Sequence, residues 1–197
     1  MVSLTVIYPK TSTMEMVNPM EIPGGELKEV LSVLRSMNAK AYLIGARALL
    51  MHGAIARTTK DIDLMITIEN LNVLRERLTR ELRKRGGFTV QWRSWGGLLV
   101  KSKNGGVEID LNTPMLLLDE EFEKRATNIT DNLYLPSIED LIVTKLMSLE
   151  RKDYSDIKEI FRLASKIDFE YLCRRIREAN LEREFNKIAR RIGVEKC

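Results

Sequence analysis

The sequence predicts an α/β (α+β) chain: a mixed sheet with interleaved helices over residues 1–136, then a helical part over residues 137–197 packed on it. Three observations carry this. Residues 61–68 alternate strictly, with Ile62, Leu64, Ile66 and Ile68 on one face and Asp61, Asp63 and Met65 on the other, the period of a strand. Leu27, Val30, Leu31 and Leu34, and again Leu71, Leu74, Leu78 and Leu82, recur at helical spacing. Strand signals stop near Pro136, and the pattern beyond it is helical throughout.

The elements follow in order. Residues 3–8 read as a short strand and residues 9–25 as loop, rich in Pro, Thr, Ser, Asn and Gly. Pro23 opens the first helix and Asn38 ends it. Residues 40–44 are a buried strand, and Gly45 turns the chain into a second helix reaching about Gly53. Asn70 is a good cap for the helix that runs to about Lys84. Residues 88–93 and 98–102 flank Trp95-Gly96-Gly97 as a hairpin. Gly105-Gly106 turns the chain into a strand over 107–111. A helix over 114–125 and a short strand over 132–135 follow. Ser137 and Asp140 form a capping box, with Asp in place of Glu. The stripe Leu141, Lys145, Leu149 and the stripe Ile157, Ile160, Phe161, Ala164 mark the next helices, and two more run from Asp168 onward.

Composition sets limits. A chain of 197 residues suits one domain, or one with an appendage. With 44% hydrophobic and 30% charged residues it is not largely disordered. Thirty-two basic residues against 28 acidic give +4, too weakly basic to demand nucleic acid by itself. Two cysteines, Cys173 and Cys197, are too few for a disulfide framework or a zinc site, and they fit a reducing, cytoplasmic setting. The first residues lack a basic region followed by a long apolar run, so no signal peptide is expected. Arg47, His52 and two glycines interrupt the apolar stretch 41–56, so no membrane span is expected. Gln91 is the only glutamine amid abundant Glu, Lys and Arg, a thermophile-like composition.

The chemistry concentrates in two stretches, 43–53 and 57–64. Gly45 stands where a strand becomes a helix, and its bare backbone lets a phosphate approach. Asp61 and Asp63, two apart on a strand, leave from one face, and paired carboxylates bind hard divalent cations. Asp110 offers a third acid on a later strand, with Glu108 on its face. Three convergent carboxylates beside a phosphate-binding turn are what two-metal phosphoryl chemistry needs.

The ordered set Gly45, Arg57, Thr59, Asp61, Asp63, with a later Asp110, resembles the nucleotidyltransferase superfamily typified by DNA polymerase β. In its fuller form it is similar to the AbiEii-type nucleotidyltransferases, toxin halves of toxin–antitoxin pairs. Residues 135–145 and 151–157 resemble that family's helical segment, with its lysine (Lys145) and its Lys-Asp-x-x-Asp motif (Asp153, Asp156). The resemblance spans residues 27–163 and implies a mixed-sheet nucleotidyltransferase core with a C-terminal helical part. It implies transfer of a nucleoside monophosphate from an NTP, ATP among them, to an acceptor hydroxyl on tRNA, other RNA or a protein. It also implies an antitoxin partner, no membrane, and magnesium or manganese held by Asp61, Asp63 and Asp110 as the catalytic acids. Gly45, Ala46, Arg57, Lys145 and Asp153 are the implied nucleotide contacts. Ala46 departs from the usual Gly or Ser and lacks the hydroxyl a serine would offer.

Each residue also has a plainer reading. Asp61 and Asp63 fit solvated positions on an edge strand, Asp110 a turn cap, Gly45 a tight turn, and Arg57 a surface arginine. Thr59 is expected only to fix the loop before the strand. Lys145 fits a lysine snorkelling from an apolar stripe, and Asp153 and Asp156 an ordinary helix start, Asp153 as N-cap. His52 reads as a packed helix histidine, and Trp92 and Trp95 as packing residues rather than base-stacking ones. The basic run Arg174, Arg175, Arg177, Arg183, Lys187, Arg190, Arg191 reads as a solvated face before it reads as a polyanion contact. Two rival functions remain: a catalytically idle nucleotide-binding protein of the same fold, and an RNA-binding module using the C-terminal helices.

Overall fold

The computed structural model describes residues 24–197 apart from 58, 104, 105, 117, 131, 149 and 165. The expected strand over 3–8, most of the expected loop over 9–25, and the assignments to Pro23, Gly105 and Leu149 lie outside the described residues. The elements are α1 (Gly24–Ser36), β1 (Ala41–Ile44), α2 (Gly45–Met51), β2 (Ile62–Ile66), α3 (Leu71–Arg85), β3 (Phe88–Trp92), β4 (Leu98–Ser102), β5 (Glu108–Asn112), α4 (Glu120–Arg125), β6 (Thr127–Thr130), β7 (Leu133–Leu135), α5 (Ile138–Ser148), α6 (Arg151–Leu163), α7 (Phe169–Glu178) and α8 (Glu182–Ile192).

Seven strands form one mixed sheet in the order β3-β4-β5-β2-β1-β7-β6. β2 lies parallel to β5 and β1 parallel to β7, while the other neighbours are antiparallel. The β3–β4 hairpin is turned out to the edge, so β5 can return beside β2. That return sets the register Asp63↔Asp110. The predicted helical stripes are buried: Leu27, Val30, Leu31 and Leu34 on α1, and Leu71, Leu74, Leu78 and Leu82 on α3. Asn70 caps α3 as expected, accepting from the backbone of Asn72 and Val73. Ser137 caps α5 by accepting from Asp140 N (3.2 Å), but in place of the second half of the expected capping box its hydroxyl donates to Asp140 Oδ2 (2.8 Å).

Three local expectations are corrected. The helix expected over 114–125 begins only at Glu120, because the Asp119 side chain caps it by accepting from Phe122 N (2.8 Å). β6 went unrecognised because Thr127-Asn-Ile-Thr is a mostly exposed edge strand without apolar alternation, and its pairing carries an irregularity. Asp153 is not the N-cap of α6. Glu150 holds that place, and Asp153 sits three residues later with its side chain folded back onto Glu150 N (3.1 Å).

The helices after β7 pack through both apolar and ionic contacts. Phe161, Phe169 and Phe185 meet with ring centroids 6.1–6.5 Å apart. Asp140, fully buried, accepts from the Tyr171 hydroxyl (2.9 and 3.0 Å) and from Arg175 Nε (3.2 Å). Cys173 of α7 is joined to Cys197 by a disulfide, so the reading of the two cysteines as reduced thiols does not hold. They are too few for a framework, but the fold brings their Cα atoms to 5.1 Å. Among the described residues no helix is long and apolar enough to cross a membrane.

Arg175→Ala leaves the Asp140 carboxylate buried without its cation. We expect a loss of about 3–5 kcal/mol in urea unfolding. A loss below about 1 kcal/mol would show that Tyr171 and Ser137 satisfy Asp140 alone.

Candidate active site

β1 is buried along its whole length and ends at Ile44, opposite Asp63 of β2. The chain then turns at Gly45 with φ +68°, a left-handed conformation that glycine adopts at little cost. A Cβ on Gly45 would overlap the Asp63 carboxylate. Glycine here is therefore needed twice over, for the turn and for letting Asp63 lie across the start of α2. Asp110 is the direct neighbour of Asp63 on the parallel strand β5, so both side chains leave the same face of the sheet. Burial first, then the charges of Asp110 and Asp61, push the Asp63 carboxyl up to about 6, against the pull of Lys145. Asp61 stands one residue before β2, exposed, with its backbone N–H on Thr59 Oγ1 (3.3 Å). Thr59 thus fixes the loop, as expected, and its carbonyl also accepts from Arg47 (3.1 Å).

Asp110, 7% exposed, is clamped by Arg93, with Nε on Oδ1 (2.6 Å) and Nη2 on Oδ2 (2.9 Å). The same guanidinium reaches Glu108 (3.2 Å). The three predicted acids face one cavity of about 690 Å³, lined also by Gly45, Ala46, Arg57, Lys145 and Asp153. Among the described residues, however, no three His, Cys, Asp or Glu side chains stand close enough to make a ready metal cluster. The three-acid metal group expected from the sequence is thus not closed, and Arg93 supplies the positive charge on Asp110.

Two predicted phosphate-binding cations are engaged with protein. Arg57 binds Asp156 through two contacts of 2.7 Å, and Lys145, 6% exposed, binds Asp153 (2.6 Å) and Asp156 (2.9 Å). Burial pushes the Asp156 carboxyl up, but the hydrogen bonds from Arg57 and Lys145 outweigh it and hold it below the ordinary range. This chain of ions ties the loop before β2 to α5 and α6. Lys152, exposed and paired with Glu150 (2.9 Å), is a cavity cation the sequence reading missed.

Arg93, Asn112, Met115 and Met147 also line the cavity and were missed. Arg93 was legible in part. It shares strand parity with Gln91, and Gln91 pairs Leu99, which pairs Asp110, so it belongs on the face of Asp110. Trp92 and Trp95 are 42% and 64% exposed, so the packing reading of both is corrected: the hairpin tip has no layer above it to bury them. His52 lies outside the cavity and is exposed, bonded to Pro136 O (2.8 Å) rather than packed. In the C-terminal basic run, Arg175 is buried among Asp119, Asp140 and Glu178, Arg174 meets Glu121, and Arg177 donates to Cys197 O.

The raised Asp63 carboxyl has a consequence for stability. A carboxyl that titrates higher in the folded state stabilises the fold below the unfolded value of 3.8, and this is lost as pH rises through about 6. Ionised Asp63 therefore costs roughly 3 kcal/mol at neutral pH in metal-free protein. Asp63→Asn should raise the melting temperature at about pH 7.5 and leave it nearly unchanged at about pH 4. Equal shifts at both pH values would contradict the assignment.

A family model described as "Nucleotidyltransferase of unknown function (DUF6036)" matches residues 25–192. A comparison with curated proteins finds no match. Among solved structures, the antibiotic-resistance factor ANT(2'')-Ia in solution is 14% identical, with 85% of this chain and 91% of that chain covered and a TM-score of 0.46. JHP933 from Helicobacter pylori is 15% identical, with coverage of 83% and 71% and a TM-score of 0.42. The Vibrio cholerae cyclic AMP-GMP synthase DncV, with a linear intermediate, is 13% identical, with coverage of 63% and 38% and a TM-score of 0.32. The family match spans most of the chain and agrees with the mixed sheet and its acid-lined cavity: the protein belongs to this DUF6036 nucleotidyltransferase family.

Proposed function

We propose that this nucleotidyltransferase moves a nucleoside monophosphate from an NTP to a hydroxyl on an RNA, tRNA among them, or on a protein. In this reading, residues 1–136 form the catalytic core and residues 137–197 the helical part that closes the cavity. The observation that carries it is the Asp63–Asp110 pair, side by side and facing a cavity that also holds Asp61. These oxygen donors suit magnesium or manganese, and the raised Asp63 carboxyl marks negative charge that a cation would relieve. Asp63 and Asp110 would hold a divalent cation, with Asp61 closing on it from the loop before β2, and the cation would supply positive charge to the reacting phosphate.

The chain's own residues divide the remaining work. Asp110, released from Arg93, takes the proton of the acceptor hydroxyl as that oxygen bonds to the α-phosphorus and the bond to pyrophosphate breaks. Gly45 and Ala46 bring bare backbone close to the phosphates. Arg57 and Lys152 add positive charge, and so does Lys145, two of whose three N–H donors are directed at Asp153 and Asp156. Asp153 acts on the nucleotide through Lys145, by holding it in place. We place the protein in the cytoplasm, as the toxin of a toxin–antitoxin pair. The Cys173–Cys197 disulfide fits that setting if the source is a hyperthermophile, which the near absence of glutamine supports.

Incubation with each labelled NTP, magnesium or manganese, and total cell RNA and protein should label one acceptor class, and Asp63→Asn should abolish it. Lys145→Ala would leave the buried Asp153 without its cation and Asp156 with Arg57 alone, so Lys152→Ala is the cleaner probe of the nucleotide. It should weaken NTP binding about tenfold in calorimetry, since a charge-assisted hydrogen bond contributes roughly 1.5–3 kcal/mol. Labelling that persists in Asp63→Asn would contradict the catalytic assignment, and no labelling by wild type would favour an idle nucleotide binder.

A further inference from the structure

Trp95 stands at the tip of the β3–β4 hairpin and forms part of the cavity wall. Trp92 lies at the end of β3, where the hairpin meets α3. Each exposed tryptophan carries an arginine. Arg93 is 5.2 Å from the Trp95 ring centre and Arg75 of α3 is 5.9 Å from that of Trp92. Beyond Trp92 the outer face of α3 continues with Arg80, Arg83 and Lys84, all exposed, along a groove of about 470 Å³ that Arg75 also lines. α3 holds six basic residues and two acidic ones, a surplus of four, which equals the net charge of the whole chain. A weakly basic protein thus has one strongly basic helix beside Trp92, on the sheet face opposite Asp110, while Trp95 at the hairpin tip lines the cavity.

We propose that the acceptor is single-stranded RNA, its 3′-terminal nucleoside stacked on Trp95 in the cavity and its upstream phosphates carried round the β3 edge of the sheet, past Trp92 and along α3. This rests on the nucleotide-transfer reading of the same cavity. Bases stack on tryptophan whatever their identity, and Arg75 beside Trp92 meets the intervening phosphates, whereas Arg93 beside Trp95 is held by Asp110 and Glu108. The reaction needs a hydroxyl nucleophile beside the acids, so the end that enters is the 3′-hydroxyl end. Asn112 and the Trp95 indole nitrogen converge on the space that a Gly97 side chain would fill. The Asn112 amide therefore lies beside the stacking ring, placed to bond a ribose 2′-hydroxyl, which DNA lacks. The C-terminal basic run is the weaker candidate, because Arg174, Arg175 and Arg177 are tied to other elements of the fold, whereas on α3 Arg80 and Lys84 meet Glu81 of their own exposed helix face.

The test uses the full chain and a short fluorescent single-stranded RNA with a free 3′-hydroxyl. Binding is followed by anisotropy over a salt series, in EDTA and without NTP. Trp95→Ala should weaken binding about tenfold. The triple substitution Arg75→Glu, Arg80→Glu, Arg83→Glu should weaken it further and flatten its salt dependence. Lys187→Glu with Arg190→Glu should leave it unchanged. All these side chains are exposed and none lies in the core, so circular dichroism should report a native fold in every variant. NTP binding, measured separately by calorimetry with magnesium, should survive the triple substitution. RNA binding untouched by the triple substitution, or equal binding of single-stranded DNA of the same sequence, overturns the proposal. Wild-type protein that binds RNA as described but binds no NTP sinks the transfer reading, and with it the acceptor role.

Discussion

Two carboxylates side by side on parallel strands repel each other, and the cavity is organised around that repulsion. The Asp63↔Asp110 register forces the pair together. Gly45 removes the Cβ that would push Asp63 away. Arg93 neutralises Asp110, which leaves Asp63 as the carboxyl whose titration is pushed up to about 6. Burying like charges costs free energy, and a fold tolerates this where something else, a cation or a substrate, completes the balance.

A second network holds the cavity's other wall. Asp156, 1% exposed, joins Arg57 of the α2–β2 loop to Lys145 of α5, and Asp153 joins Lys145 to the start of α6. Removing one partner of such a buried set is strongly destabilising, because it leaves an uncompensated charge. The motif residues at the edge of the site are therefore also its scaffold: a cation in this ion chain keeps its position by being paired. Lys152, exposed at the rim, is the cavity cation least committed to the fold.

Much of this was legible in the sequence because it is local. Strict alternation marked β2, leucine stripes marked α1 and α3, and the strand-to-helix position of Gly45 marked the turn. The acids and glycine were found because a parallel register and a glycine turn leave a spaced signature. What failed was non-local. Arg93 reaches Asp110 only through two successive strand pairings, and the Cys173–Cys197 bridge depends on how α7 meets the chain after α8. β6 was missed because an exposed edge strand has little apolar alternation to show. The exposure of Trp92 and Trp95 was equally hidden, since a tryptophan in a hairpin carries no mark of which side is covered.

The central claim is that the Asp63–Asp110 pair forms a cation site whose charge Arg93 balances in its absence. Calorimetric titration of manganese into wild-type and Arg93→Gln protein tests it most directly. Removing the competing guanidinium should tighten manganese binding by roughly an order of magnitude, since Arg93 holds Asp110 by charge-assisted hydrogen bonds. Asp110→Asn should abolish the tight phase in both backgrounds. Manganese binding that is unchanged or weaker in Arg93→Gln would contradict the account.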